Sequence, residues 1–316
     1  MKKLLSMGCI VALAAGACAG ATGSPDSLPD GRLPVVATHS ILGEFVTIVG
    51  GDRIIVRTLV GPQGDAHEFE PRPTDAAAIA EAAILFENGL GFEPWLDDLY
   101  AASGSGAVRV VATDSMVPLP AAGLSGRGGA EGGPGDLGQL DPHVWHDVTN
   151  AMRMVENVQA ALLKADPSHA DVYAANADAY LAQLTELDAW VRQQVERLPA
   201  GRRKLVTSHD TFGYFAVRYG FDVVGTALGG TTAGLADPSA GAIAELVEAI
   251  KAAGVRAIFA ENVSNPGLMR QIAAEAGVEL APLLYTDALG EPGGAGDTYV
   301  KAIRYNVSTI VDALRK

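Results

Sequence analysis

One segment governs what this chain can fold into. Ala165-Asp166-Pro167-Ser168 reads as a helix start, and from Ser168 to about Leu198 there is no glycine or proline. Tyr173, Ala177, Tyr180, Leu181, Leu184, Leu187, Trp190 and Val191 recur along it at helical spacing. Some 30 residues at about 1.5 Å each make a rod of about 45 Å, roughly the width of a small domain. Such a rod divides a 316-residue chain into two parts and can tie two lobes together.

On both sides of it, short β-branched runs alternate with longer amphipathic, alanine-rich segments. The first side reads strand Leu33–Ala37, helix Ile41–Val49, strand Ile54–Val60, helix Asp75–Ala83 and strand Ile84–Glu87. Helix Pro94–Ala102 and strand Val108–Val111 follow. The second side reads strand Lys204–Thr207, helix Thr211–Tyr219, strand Asp222–Gly225, helix Gly241–Ala253 and strand Ala257–Ala260. It closes with helix Pro266–Ala276, strand Glu279–Leu284 and helix Asp297–Leu314. Strands that alternate with helices imply parallel sheets with helical crossovers. The expected fold is therefore α/β: two similar lobes with mainly parallel sheets, joined by one long rigid backbone helix, with a ligand in the cleft between them. The expected division is a signal peptide at 1–17, a tether at 18–32, an N-terminal lobe at 33–165, a linking helix at 166–199 and a C-terminal lobe at 200–316.

The N-terminus points outside the cytoplasm. Lys2 and Lys3 precede an apolar run from Leu4 to Ala17, too short to span a bilayer but suited to an export signal. Cys18 follows Ala15-Gly16-Ala17 and precedes a polar stretch, the pattern of a bacterial lipobox, so a lipid anchor at Cys18 is expected. Cys9 falls inside the signal, so no disulfide can form in the mature chain. Loss of Lys2 and Lys3, with a signal that holds no acid, takes the net charge from -14 to -16. Such a surface repels nucleic acid and attracts cations. A glycine-rich stretch at 118–140 cannot pack as helix or strand and reads as a surface loop.

Four residues carry the chemistry: His67, His143, His209 and Asp287. Each sits where a strand gives way to a loop or helix, the place where α/β folds put their ligands. Pro142 stiffens the turn that carries His143. Taken singly, a histidine at a strand end is more often a hydrogen-bonding residue and an aspartate more often a helix cap. Together, three imidazoles and one carboxylate make the closed tetrahedral set that zinc accepts. His39 is a candidate for the layer behind the ligands, His146 is expected on the surface beside His143, and His169 in the first turn of the long helix.

With those residues in view, the chain resembles the metal-binding receptors of zinc and manganese ABC transporters, the cluster A-I solute-binding proteins. The likeness runs from about Leu33 to Leu314. It rests on Val35-Ala37-Thr38 with Gly43, Gly61 to Pro71, and Asp141-Pro142-His143-Val144-Trp145. Further on it rests on Ser208-His209-Asp210-Thr211-Phe212-Gly213-Tyr214-Phe215, Phe259-Ala260-Glu261-Asn262 with Asn265-Pro266, and Tyr285-Thr286-Asp287-Ala288-Leu289-Gly290. The resemblance implies two lobes on a rigid helix and metal ligands at His67, His143, His209 and Asp287. It also implies a membrane permease as partner. Zinc receptors of this kind often carry a His-rich loop; the stretch 121–139 here holds no histidine.

Manganese receptors of that family place a carboxylate at the third ligand position, and hard oxygen donors suit manganese. His209 stands there instead, so Zn(II) is the expected cargo and Mn(II) the alternative. The expected function is a monomeric extracytoplasmic receptor that delivers Zn(II) to its permease, without enzymatic activity. Binding is expected to weaken below about pH 6 as imidazoles protonate. A zinc hydrolase would need an open coordination position and a placed base, and no His-Glu-x-x-His segment occurs. A surface adhesin is a third possibility to which no residue points.

Overall fold

The computed structural model describes residues 31–121, 140–228 and 238–316. The expected signal at 1–17, Cys18 and nearly all of the glycine-rich stretch 118–140 lie outside them. The chain first builds β1 (Leu33–His39), α1 (Ser40–Gly50), β2 (Ile54–Val60), α2 (Pro73–Glu81), β3 (Ile84–Glu87), α3 (Leu96–Ser103) and β4 (Val108–Val111). Two long helices follow, α4 (Val148–Ala165) and α5 (Ala170–Val195). Then come β5 (Lys204–Thr207), α6 (Gly213–Tyr219), β6 (Asp222–Thr226), α7 (Ala240–Ala253), β7 (Ala257–Glu261), α8 (Gly267–Ala276), β8 (Glu279–Leu284) and α9 (Tyr299–Arg315).

Two α/β lobes result. All strand pairing is parallel, with order β2-β1-β3-β4 in one sheet and β6-β5-β7-β8 in the other. Counted from its own first strand, each half has the same order, so the echo in the sequence is an echo in topology. The order reverses beside β1 and beside β5, and a ligand crevice opens at the carboxyl ends of strands at such points. Helices cover both faces, which is why the inner strands β3 and β7 are buried along their whole length.

The outer face of the first sheet packs Val36 and Leu85 against Ile79, Leu96 and Leu99 of α2 and α3. The outer face of the second packs Val206 and Ile258 against Leu246, Ile250 and Ile272 of α7 and α8. The inner faces share a single core with α1, α4, α5 and α9 that runs through both lobes. Close approach at one point demands glycine: a Cβ on Gly43 of α1 would overlap the Thr58 side chain of β2.

α5 is the expected rod, 26 residues or about 39 Å long. It buries Tyr173, Ala177, Tyr180, Leu184, Leu187, Val191 and Val195, every third or fourth residue. That stripe packs on α1 and α4 of the first half and on α9 of the second. The rod starts later than the sequence predicts because Pro167–His169 form a 3-10 turn. The Asp166 carboxylate holds this turn, 2.6 Å from His169 Nδ1 and accepting the Tyr173 hydroxyl at 2.7 Å. α4 is an element that the strand-and-helix reading of the sequence passes over. It is capped by Asp147, which accepts the Thr149 amide at 2.8 Å, and buries Met154, Val155, Val158 and Leu162. No described helix is long and apolar enough to cross a membrane.

Candidate metal centre

His67, His143, His209 and Asp287 converge, each offering a donor atom within 4.8 Å of the others, and all four are buried. His67 Nε2 lies 3.2 Å from His143 Nε2 and 3.7 Å from Asp287 Oδ2. His143 Nε2 lies 3.6 Å from Asp287 Oδ1, and His209 Nε2 lies 3.0 Å from Asp287 Oδ2. Two of the four residues come from each lobe, so the cluster sits where the carboxyl ends of the two sheets face each other.

Each candidate ligand is held from behind. The loop after β2 turns through Gln63, at φ 58°, and the Asp65 carboxylate accepts the His67 amide at 2.8 Å. Trp95 Nε1 fixes the same loop by donating to the Ala66 carbonyl at 2.7 Å. In the Asp141-Pro142-His143 turn, Asp141 Oδ1 accepts the His143 amide at 2.9 Å and lies 2.8 Å from its Nδ1. Asn88 Nδ2 donates to the Pro142 carbonyl at 3.0 Å. His209 leaves β5 with its amide on Glu261 Oε1 at 3.1 Å and its Nδ1 2.5 Å from Glu261 Oε2. Thr286 is secured by Asn262, whose Oδ1 accepts its amide at 3.1 Å, and donates its hydroxyl to Glu261 Oε2 at 3.1 Å. Asp287 follows directly.

With Nδ1 of His143 and His209 turned toward carboxylates, their Nε2 atoms face the centre. Carboxylate partners on metal-bound imidazoles fix the tautomer in this way. His209 Nε2 and Asp287 Oδ2, buried 3.0 Å apart, have no partner beyond each other. Buried polar atoms are seldom left so. Three nitrogens and a carboxylate oxygen aimed at one point are what a divalent cation satisfies once any proton among them has left, so the donor set fits a metal ion.

The electrostatics agree. Burial holds His67 down to about pKa 3, so its ring stays neutral. Burial also opposes a charge on His209, but Glu261 and Asp287 outweigh it and raise its pKa well above the ordinary value. Asp287 is held below the usual carboxylate range: burial works against ionisation, and His209 and His143 more than compensate.

Sequence reasoning passed over several residues. Glu261 is fully buried at the end of β7, the strand beside β5, and its role shows only once strand order is known. His146 corrects an expectation: it is 1 % exposed, not on the surface, with Thr211 Oγ1 3.2 Å from its Nε2 and the Phe212 ring 4.7 Å away. A local reading placed it outward, whereas Thr211 and Phe212, just before α6 of the second lobe, cover it. Trp145 donates across the lobes to the Thr286 carbonyl at 2.9 Å. Tyr214 donates to the Asp141 carbonyl at 2.9 Å.

The model of the family described as ZnuA, zinc-uptake complex component A, periplasmic, matches residues 35–313. The chain belongs to this family. It is 36% identical over 307 residues to the manganese-binding lipoprotein MntA of Halalkalibacterium halodurans, covering 96% of each chain. It is 33% identical to the zinc-binding protein TroA of Treponema pallidum, covering 98% of each. The solved structure of that periplasmic zinc-binding TroA superposes with TM-score 0.79 at 29% identity, covering 90% of this chain and 99% of TroA. The manganese-bound periplasmic metal-binding protein of Candidatus Liberibacter asiaticus superposes with TM-score 0.78 at 26% identity, covering 90% of this chain and all of that one. The ZnuA-family chain is thus an extracytoplasmic metal-binding receptor of the ABC-transporter kind, and its relatives are binding proteins, not enzymes. The relatives' names divide between manganese and zinc.

Proposed function

We propose that this receptor captures Zn(II) with His67, His143, His209 and Asp287 and delivers it to an ABC permease. The observation that carries the reading is the donor set, three imidazole nitrogens and one carboxylate within 4.8 Å. Imidazole suits zinc, and at a given nitrogen-containing site zinc binds more tightly than manganese. His209 decides the balance, because a carboxylate there would give two hard oxygens and two nitrogens. Binding in this closed shell leaves no coordination position for a reactive water, in keeping with a carrier.

Manganese is the second reading. It is favoured by relatives named manganese-binding, among them one at 36% identity over nearly the whole chain. Competition between Zn(II) and Mn(II) for metal-free protein separates the two, with zinc expected to win. His209→Glu should move the preference toward manganese. A variant that prefers zinc as strongly as the parent would sink the account of selectivity. Lipidation at Cys18 remains part of the proposal, and mass spectrometry of the membrane-extracted protein tests it.

A further inference from the structure

The two oxygens of Asp287 stand in different surroundings. Oδ2 faces His67 and His209, at 3.7 and 3.0 Å. Oδ1 faces His143 at 3.6 Å and also accepts a hydrogen bond from outside the cage, from the Thr211 hydroxyl at 3.4 Å. Thr211 is fully buried in the loop between β5 and α6, and its Oγ1 lies 3.2 Å from Nε2 of His146, which closes the Val144–His146 turn of the first lobe. The rings of Phe212 and Trp145, with centroids 4.7 and 5.8 Å away, hold the His146 ring in place. A line of three groups thus runs from the first lobe to a candidate ligand of the second. Its proton order follows from what each group can do. An ionised carboxylate only accepts, and a hydroxyl has one proton to give. Burial keeps the His146 ring neutral, its pKa lowered to about 3, so it carries one N–H. With that N–H on Nε2, His146 donates to Thr211 and Thr211 donates to Asp287. The other tautomer would leave a buried N–H at Nδ1, which has no hydrogen-bond partner, and would draw the Thr211 proton away from Asp287.

How Asp287 meets the ion sets the coordination number. One oxygen beside three imidazoles gives the four-coordinate shell of zinc. Both oxygens would give five donors and a second hard oxygen, a step toward the oxygen-rich, higher-coordinate shells that suit manganese. We propose that Thr211, oriented by His146, holds Asp287 Oδ1 back from the ion, so that Oδ2 alone binds and the site is biased toward Zn(II) over Mn(II). Because His146 and Thr211 belong to different lobes, the hold is complete only when the lobes are together. The inference rests on the receptor reading above and names two positioning residues for its selectivity, both acting through Asp287.

Co(II) bound in place of zinc reads the coordination number, since a four-coordinate cobalt ion absorbs visible light several-fold more strongly than a five-coordinate one. Full-length protein loaded with Co(II) should give the strong spectrum. Thr211→Val, which keeps the shape but not the hydroxyl, should weaken it and lower the ratio of zinc to manganese affinity, from competition titrations, by about tenfold. Thr211→Ser restores the hydroxyl and should restore both. His146→Phe keeps a ring against Phe212 and should shift both the same way as Thr211→Val, by less. If Thr211→Val fails to fold, Thr211→Ala takes its place. An unchanged spectrum or an unchanged ratio in the hydroxyl-free variant overturns the proposal, as does a five-coordinate spectrum in the parent, and an unmoved His146→Phe overturns the part given to His146. If the parent prefers manganese, the zinc reading fails on its own, and the shifts between parent and Thr211→Val still decide the role of Thr211.

Discussion

Glu261 and Asp287 flank His209 at its two nitrogens, 2.5 and 3.0 Å away, and raise its pKa against the opposing effect of burial. A metal-free cage therefore keeps a proton on that ring through the neutral range, and an arriving cation must expel it. Affinity should rise with pH until the raised pKa is passed, so the decline expected below pH 6 from ordinary imidazoles begins higher. His67, held down to about 3, plays no part in that decline. The sign for stability is the converse. Protonated His209 stabilises the metal-free fold fully below the ordinary value of 6.5, and the effect fades as pH rises through the raised value. Calorimetric titration in two buffers of different ionisation enthalpy should show about one proton released per zinc near neutral pH; no release would contradict this picture. Glu261→Gln should weaken zinc binding by about 10- to 100-fold and reduce the proton count in the same experiment.

Among the elements, α5 is the one on which both lobes depend. Leu184 is fully buried at its middle, so Leu184→Ala should cost about 2–5 kcal/mol of stability, read by urea unfolding of the metal-free protein. A cost below about 1 kcal/mol would mean that the site collapses around the cavity. α6 couples the two lobes more locally. Its first turn abuts the His143 turn, where a Cβ on Gly213 would come within 2.5 Å of Asp141 Oδ2. Tyr214 also accepts the Leu119 amide at 3.0 Å while donating to Asp141. Tyr214→Phe should accordingly raise the zinc dissociation rate, measured by transfer to a chromogenic chelator, without changing which metal is preferred.

At the scale of the whole molecule, bonds across the lobes restrict how far they can part. Gln63 donates to the Leu289 carbonyl at 2.9 Å, Leu289 to Ser40 Oγ at 3.0 Å, and Tyr299 to Glu44 Oε2 at 2.6 Å. These join a shared core, so opening is a matter of loops and a small tilt rather than a wide hinge. With two of the proposed ligands in each lobe, ion binding should stabilise the molecule as one unit. Free zinc at 100 times the dissociation constant should add about 2.7 kcal/mol, seen as a single upward shift in the thermal transition that a chelator reverses. Two transitions, only one of them zinc-sensitive, would show lobes that unfold independently.

The alternation of β-branched and amphipathic segments, the glycine-free stretch of α5 and the four donor residues that the fold brings together were legible in the chain, because each follows from local periodicity or from residue type at a strand end. α4 was missed although Asp147 and an apolar stripe as regular as that of α5 were present in the chain. Strand order was beyond local reading, and with it the roles of Glu261 behind His209 and of Trp145 across to Thr286. Nor could sequence show that His146 is covered by Thr211 and Phe212 or that His39 lies buried without hydrogen-bond partners. Residue types set which donors are available, but burial, tautomer and pKa depend on neighbours brought from the other lobe, and only the folded chain supplies them.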